Sequence, residues 1–237
     1  IKNKFRLDYQ DLLENYTVNL YNKSVVLIGN VAGKNELWLD PKIYPYAVND
    51  TYLNSTDTTS NYGTNSLIYV RRKSASEITR GLFHWDISSI PSGSTITDST
   101  AWIYADGTCW TGTGDTVYLH RVIQEWDEGQ ATWDNRLTGT SWTNAGCSAP
   151  SSSSITVEDS KTWVFDDLNS YWGFDLTSLT QDWVDGTYPN YGIMANLTET
   201  SNARCLTFRS RDHATTNTRP QLNVTYTLCN GADSYTH

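Results

Sequence analysis

The side chains best equipped for chemistry crowd the run from Glu125 to Trp142. There the adjacent carboxylates Asp127 and Glu128, one arginine (Arg136) and three indoles (Trp126, Trp133, Trp142) stand among turn formers. Two carboxylates cleave a glycosidic bond only when they face each other across a cleft. Adjacent ones in a turn point apart, so a solvated turn is the favoured reading. The four histidines, His84, His120, His213 and His237, are scattered. His84 and His120 fall in strand-like runs and read as satisfied or surface histidines rather than as a base or a ligand. No nucleophile elbow, His-Glu-X-X-His helix or phosphate loop is present. The expectation is a protein that is not an enzyme and needs no cofactor beyond a structural ion.

Binding chemistry is left. Hard cations take oxygen ligands, and the loop 49–65 is rich in Asp, Asn and Thr; Asp50 and Asp57 are the candidate ligands of a structural calcium ion. No EF-hand spacing supports them, and ordinary turn chemistry explains the same composition. Ten tryptophans would allow pyranose rings to stack, although in a β protein most belong to the core and roughly two or three should be exposed. Trp110, Trp142 and Trp172 lie in loop-like contexts and are the candidates for glycan contact. Arg136 beside Asp134 reads first as an internal clamp and second as a contact for an acidic sugar. Trp126, Trp133 and Arg136 are expected to fasten the loop to the core, with Trp142 left facing solvent.

The elements that must carry these residues follow from composition and pattern. Ten Trp and fifteen Tyr against one Met, with abundant Thr and Ser, favour strands over a helical bundle. A chain of 237 residues suits one large domain, or a domain with an extension. The net charge of −9 lacks the basic footprint that nucleic acid requires. The apolar run Val25 to Ile28 is too short for a membrane span or a secretory leader, so the chain is expected to be soluble, with any leader already removed. Sequons at Asn15, Asn22, Asn49, Asn54, Asn196 and Asn223 accompany an even set of cysteines without a Cys-X-X-Cys pair. Together they predict an exported, oxidised, N-glycosylated protein at the cell surface. Of the possible pairings among Cys109, Cys147, Cys205 and Cys229, we favour Cys109 with Cys147 and Cys205 with Cys229, the latter two on strands expected to form a hairpin around 211–220.

Residues 1–43 read as an extension and 44–237 as the main domain. In the first nine residues Ile1, Phe5, Leu7 and Tyr9 share one face with Asn3, while Lys2, Lys4, Arg6 and Asp8 share the other. Such a basic strand on an acidic protein can pair with its own body or with a neighbour's. Tyr16 to Ile28 and Glu36 to Leu39 suggest a hairpin through 30–35. Strands are then expected at Asp50 to Leu53, Ser66 to Arg71, Gly81 to Trp85, Thr100 to Ala105 and Thr116 to Ile123. Weaker ones follow at Ser154 to Val157 and Trp163 to Asp166, and the last at Gly192 to Leu197, Cys205 to Ser210 and Gln221 to Leu228. One short helix spans Asp175 to Gly186, where apolar residues recur at helical spacing. Asn-Tyr-Gly occurs twice, at Asn61 to Gly63 and at Asn190 to Gly192, each time before an apolar strand.

The order of short motifs resembles that of DNRLRE-type domains, related to carbohydrate-binding modules and to the disaggregatase-related repeats of archaeal surface proteins. It is carried by Asp50-Thr51-Tyr52, Asn61-Tyr62-Gly63, Phe83 to Pro91, Glu125-Trp126, Thr132 to Arg136, Asp182 to Gly186, Phe208 to Asp212 and Pro220-Gln221-Leu222. It covers about Tyr46 to Tyr226 and departs after Leu137, where Thr138-Gly139 replaces the charged pair of the family's name. The resemblance implies a secreted, jelly-roll-like antiparallel β-sandwich without catalysis, used for polysaccharide attachment or as a building block of surface proteins. Two functions are carried forward. One is a subunit of a surface layer or fibre, a homopolymer assembled through the N-terminal strand; the alternative is a carbohydrate-binding module holding polysaccharide.

Overall fold

A computed structural model describes residues 17–21, 24–28, 42–74, 76–109, 115–164, 167–197 and 204–228. The N-terminal strand Ile1 to Tyr9, the strand Glu36 to Leu39, Asn15, Asn22, Trp110 and Cys229 lie outside the described residues. In chain order the strands are β1 (Thr17–Tyr21), β2 (Ser24–Ile28), β3 (Lys42–Ile43), β4 (Ala47–Asn54), β5 (Leu67–Ser74), β6 (Glu77–Trp85), β7 (Thr95–Thr108) and β8 (Thr116–Arg121). They continue as β9 (Asn135–Leu137), β10 (Thr140–Ser141), β11 (Asp159–Thr162), β12 (Ser170–Asp175), helix α1 (Thr177–Val184), β13 (Ile193–Leu197), β14 (Arg204–Arg209) and β15 (Gln221–Thr227).

Eleven of these strands form one sheet in the order β11-β8-β13-β6-β5-β14-β7-β15-β3, with β4 added to β6 and β12 to β7. Every pairing is antiparallel. The sheet turns over at β5, which pairs with β6 only near their shared hairpin but with β14 along its length. The result is an all-β sandwich. Its core follows from alternation: Phe83, Val117, Leu119, Ile193 and Leu197 from one leaf meet Ile103, Trp172, Phe174, Phe208, Leu222 and Val224 from the other.

Most expected strands are present, and three differences have physical reasons. The expected strand Tyr16 to Ile28 holds a hairpin of its own, since β1 pairs with β2 directly; its expected partner Glu36 to Leu39 lies outside the described residues. Ser154 to Val157 is not a strand: Ile155 is 74% exposed, so the segment has no apolar face to bury. The strand of that region is β11, and Trp163 lies just past its end. Conversely β12 was hidden in the sequence, because Gly173 interrupts its run of aromatics, yet it pairs with β7 along its whole length.

Helix α1 stands as expected. The Asp175 carboxylate accepts the Thr177 N–H at 2.8 Å, and Gly186 at φ 72° ends the turn. Leu179, Thr180 and Trp183 are buried. Ser99 and Thr180 hydroxyls meet at 2.7 Å, and Gln181 accepts the Ile96 N–H at 2.7 Å, which docks the helix on β7.

A second, smaller core lies on the outer face of β4, β6 and β13. Leu53, Leu82 and Met194 point outward there and are covered by Val122, Trp126, Ala131, Trp142 and Cys147. Burying one indole contributes roughly 4–6 kcal/mol of transfer free energy before entropy is counted. Residues 122–147 are therefore a folded layer rather than a free loop. This layer explains why β6 reads as continuously apolar: both of its faces are buried.

Candidate functional site

The charged residues of the layer converge on Glu128. Its Oε1 accepts the Asp50 N–H at 2.8 Å, and its Oε2 accepts from Arg211 Nη1 at 2.9 Å. Arg211 also donates its backbone N–H to Asp50 Oδ2 at 2.7 Å and its guanidinium to the Val48 carbonyl. Behind Glu128, Asn61 donates to the carbonyls of Glu128 and Ala131 at 2.6 and 2.8 Å. Three segments distant in sequence are thus tied together by one carboxylate. Asp127 does point away, its Oδ1 accepting the Gly129 N–H at 3.0 Å, as expected for neighbours in a turn. Glu128, however, is not a solvated turn acid: it is half-buried and burial raises its pKa.

Asp50 is fully buried, and its Oδ1 has no hydrogen-bond partner among the described residues. Burial holds its pKa well above the usual carboxylate range, opposed by the hydrogen bond from the Arg211 backbone. A carboxyl raised in the folded state binds its proton more tightly there than when unfolded. Its contribution to stability is present below the ordinary carboxylate pKa and is lost as pH rises through the folded value. Asp50→Asn keeps the neutral form at every pH. Its stability relative to wild type should therefore improve between pH 4 and pH 8, by about 1.4 kcal/mol for each unit by which the folded pKa is raised. Urea denaturation at both pH values reads this, and an unchanged difference would refute it.

Asp57 does a different job from Asp50. It accepts from the Ser60 and Tyr62 hydroxyls, each at 2.8 Å, and these bonds lower its pKa. The pair proposed for calcium thus serves two separate local networks. Among the described residues no group of three or more His, Cys, Asp or Glu side chains is placed to hold a metal ion.

The glycan candidates are rearranged. Trp142 does not face solvent: it is 4% exposed, its Nε1 donates to the Thr132 carbonyl at 2.9 Å, and its ring fills the second core. Trp172 is fully buried in the sandwich, because it alternates inward on β12 and donates to the Asp167 carbonyl at 2.9 Å. Arg136 clamps the layer, but through the Glu125 carbonyl at 2.9 Å rather than through Asp134. Trp126 donates to the Tyr191 carbonyl at 2.8 Å. Arg80 is the fastening that sequence reading missed: it lies 5.1 Å over the Trp133 ring and donates to the Gly146 carbonyl at 2.7 Å.

The expected disulfides are corrected. Cys205 bonds Cys109, and Cys147 is a buried free thiol whose pKa burial raises. The hairpin invoked for Cys205 and Cys229 does not exist, because β7 lies between β14 and β15. Leu206 instead faces Thr108, and the next pair outward is Cys205 with Cys109, Cα atoms 5.3 Å apart.

The remaining polar residues have local roles. His84 is drawn toward neutrality by burial and lies 3.4 Å from the Asn49 amide; His120 lies 3.0 Å from the Thr156 carbonyl; His213 accepts the Thr215 N–H at 3.1 Å. His237 lies outside the described residues. Of the sequons, Asn49 sits half-buried in β4, Asn54 closes a turn by accepting from Thr56, Asn196 is on β13 and Asn223 on the outer face of β15.

What the sequence did not flag is an aromatic outer face. Tyr46, Gln221, Trp102 and Gly173 are paired in one row across the sheet, and Tyr104 pairs with Tyr171 in the next. Trp102, Tyr46 and Tyr171 are 36%, 45% and 37% exposed. A signal was available: on β7 Trp102 is in phase with the polar Thr100 and Asp106, not with Ala101, Ile103 and Ala105. Beside this face lies a recess of about 410 Å³ lined by Tyr46, Ala47, Val48, Arg211, Thr216 and Arg219.

Fold and site together define an antiparallel β-sandwich domain with one face sealed by a fastened layer and another bearing aromatics. Its family is now identifiable. The chain belongs to the disaggregatase related repeat domain family, whose model matches residues 50–224. No curated protein matches the chain.

Proposed function

We propose that this chain is a non-catalytic structural subunit of an extracellular surface layer or fibre, joined to copies of itself through the strand Ile1 to Tyr9. The observation that supports it is the edge at β3. Only Lys42 and Ile43 form that strand, and among the described residues nothing pairs with its outer side. The extension joins the sandwich beside this edge, where a neighbour's strand would gain a ladder of backbone hydrogen bonds. Family membership favours a surface-protein building block, and the disulfide and sequons favour an oxidising, extracellular setting. No described helix is long and apolar enough to cross a membrane. Deleting residues 1–10 should abolish assembly as seen by electron microscopy and light scattering, with the sandwich still folded. A truncated chain that polymerises normally would sink the proposal.

A second reading, attachment to polysaccharide, is favoured by the aromatic outer face. The two are compatible, since a surface subunit can also hold the glycan around it.

A further inference from the structure

We infer that the outer face of β15, β7 and β12, together with the adjoining recess, binds an anionic polysaccharide: sugar rings stack on Trp102 and Tyr46, and an acidic group is taken by Arg219. The inference rests on the polysaccharide reading above and gives it a site and a ligand class.

Three observations carry it. First, Trp102 leans across Gly173, where the Cβ of any other residue would come within 3.0 Å of the indole carbons. The missing side chain gives the ring a bed on the sheet while its other side stays open, the disposition that stacking against a pyranose needs. Second, Tyr46 and Trp102 flank Gln221 from opposite sides. They are two strand spacings apart, about 10 Å, a span that a disaccharide covers, with the Gln221 amide between them. Glutamine there donates its Nε2 to the Tyr44 carbonyl at 3.1 Å, which leaves its Oε1 available to sugar hydroxyls.

Third, the charge is of the wrong sign for this protein. A chain with 26 acidic and 17 basic residues places three arginines, Arg209, Arg211 and Arg219, beside these aromatics. Arg209 is neutralised by Asp106 at 2.7 Å and Arg211 by Glu128 at 2.9 Å. Arg219 donates its Nε to the His213 carbonyl at 3.1 Å, and no carboxylate pairs with it among the described residues. Its terminal nitrogens form a fork suited to a carboxylate or sulfate.

Affinity electrophoresis of the full chain through gels containing polygalacturonate, alginate, dextran sulfate or a neutral β-glucan tests this. Wild type should be retarded by the anionic polymers more than by the neutral one; the uronate and sulfate gels separate the two sources of charge. Trp102→Ala should weaken binding at least about tenfold on every gel, the scale of losing one stacked aromatic. Arg219→Gln should remove the preference for anionic over neutral polymer while leaving residual stacking. Tyr188→Ala, an equally exposed tyrosine packed against Arg121, should change nothing. Retardation of wild type that neither Trp102→Ala nor Arg219→Gln reduces, with both variants folded by circular dichroism, overturns the site and leaves the polysaccharide reading standing. No retardation on any gel overturns both.

Discussion

Gly192→Ala is expected to destabilise the sandwich by about 2–5 kcal/mol, whereas Gly186→Ala should cost only ~1–2 kcal/mol. Both glycines have left-handed φ, 77° and 72°, so both substitutions incur the roughly 1–2 kcal/mol of that conformation. They differ in what a Cβ would meet. At Gly186 no atom of the described residues lies within 4 Å of it. At Gly192 the added carbon would collide with the Phe83 carbonyl oxygen and come within 2.9 Å of the Phe83 carbonyl carbon and His84 Cα. Those atoms cannot yield cheaply, because Phe83 is in β6, paired with Asp50 of β4 on one side and Ile193 of β13 on the other. Overpacking of this kind adds about 1–3 kcal/mol. At this chain length each kcal/mol should lower Tm by roughly 2–4 °C. Denaturation of the two variants side by side measures the difference, and equal losses would show that the close approach to β6 contributes nothing.

The same glycine shows what was legible in the sequence. Asn-Tyr-Gly stands before an apolar strand in two places, and both make the same local bond: Asn61 and Asn190 each accept the N–H of the glycine two residues on, at 3.1 and 3.0 Å, while only Gly192 takes a left-handed φ. Each asparagine then donates to a remote carbonyl, Glu128 and Ala131 in one case and Trp85 in the other. The motif is a clasp, and only its local half could be read from the chain. Strands β5, β13, β14 and β15 were legible for a similar reason, since alternation records which side chains share a face. It does not record which strand is the neighbour.

That gap explains the main errors. β7 is long enough to serve β15, β12 and β14 in succession, so it separates two strands that sequence order would have joined in a hairpin. Trp142 and Trp172 look loop-like because their burial comes from partners far along the chain, Leu82 and Met194 for the first and Phe208 for the second. The buried Asp50 was read as a turn residue and metal ligand because nothing local says that Arg211 will meet it. The outer position of Trp102 was recorded in its phase along β7.

Removing the Cys109–Cys205 disulfide, as the double variant Cys109→Ser/Cys205→Ser, is expected to cost about 2–5 kcal/mol. The bond closes a loop of 96 residues, and in the chain-entropy account a cross-link over about 100 residues removes roughly 4.7 kcal/mol of unfolded-state freedom. Native strain and residual structure in the unfolded chain lower that figure, hence the range. The position matters as much as the length. The bond lies where the ladder between β14 and β7 begins, and β14 is the strand through which β5 joins that leaf. Loss of the link should therefore fray the sandwich from this end: amides of Leu206 and Thr207 should exchange faster than those of Leu119 and Ala195, which lie in the β8–β13 ladder. Urea denaturation with and without reductant gives the magnitude, and hydrogen exchange gives the place. Cys147→Ala removes no cross-link and should not reproduce this pattern, since its thiol is enclosed in the second core. Peptide mapping without reduction that joined Cys109 to Cys147 would overturn both the pairing and the placement of β14 beside β7.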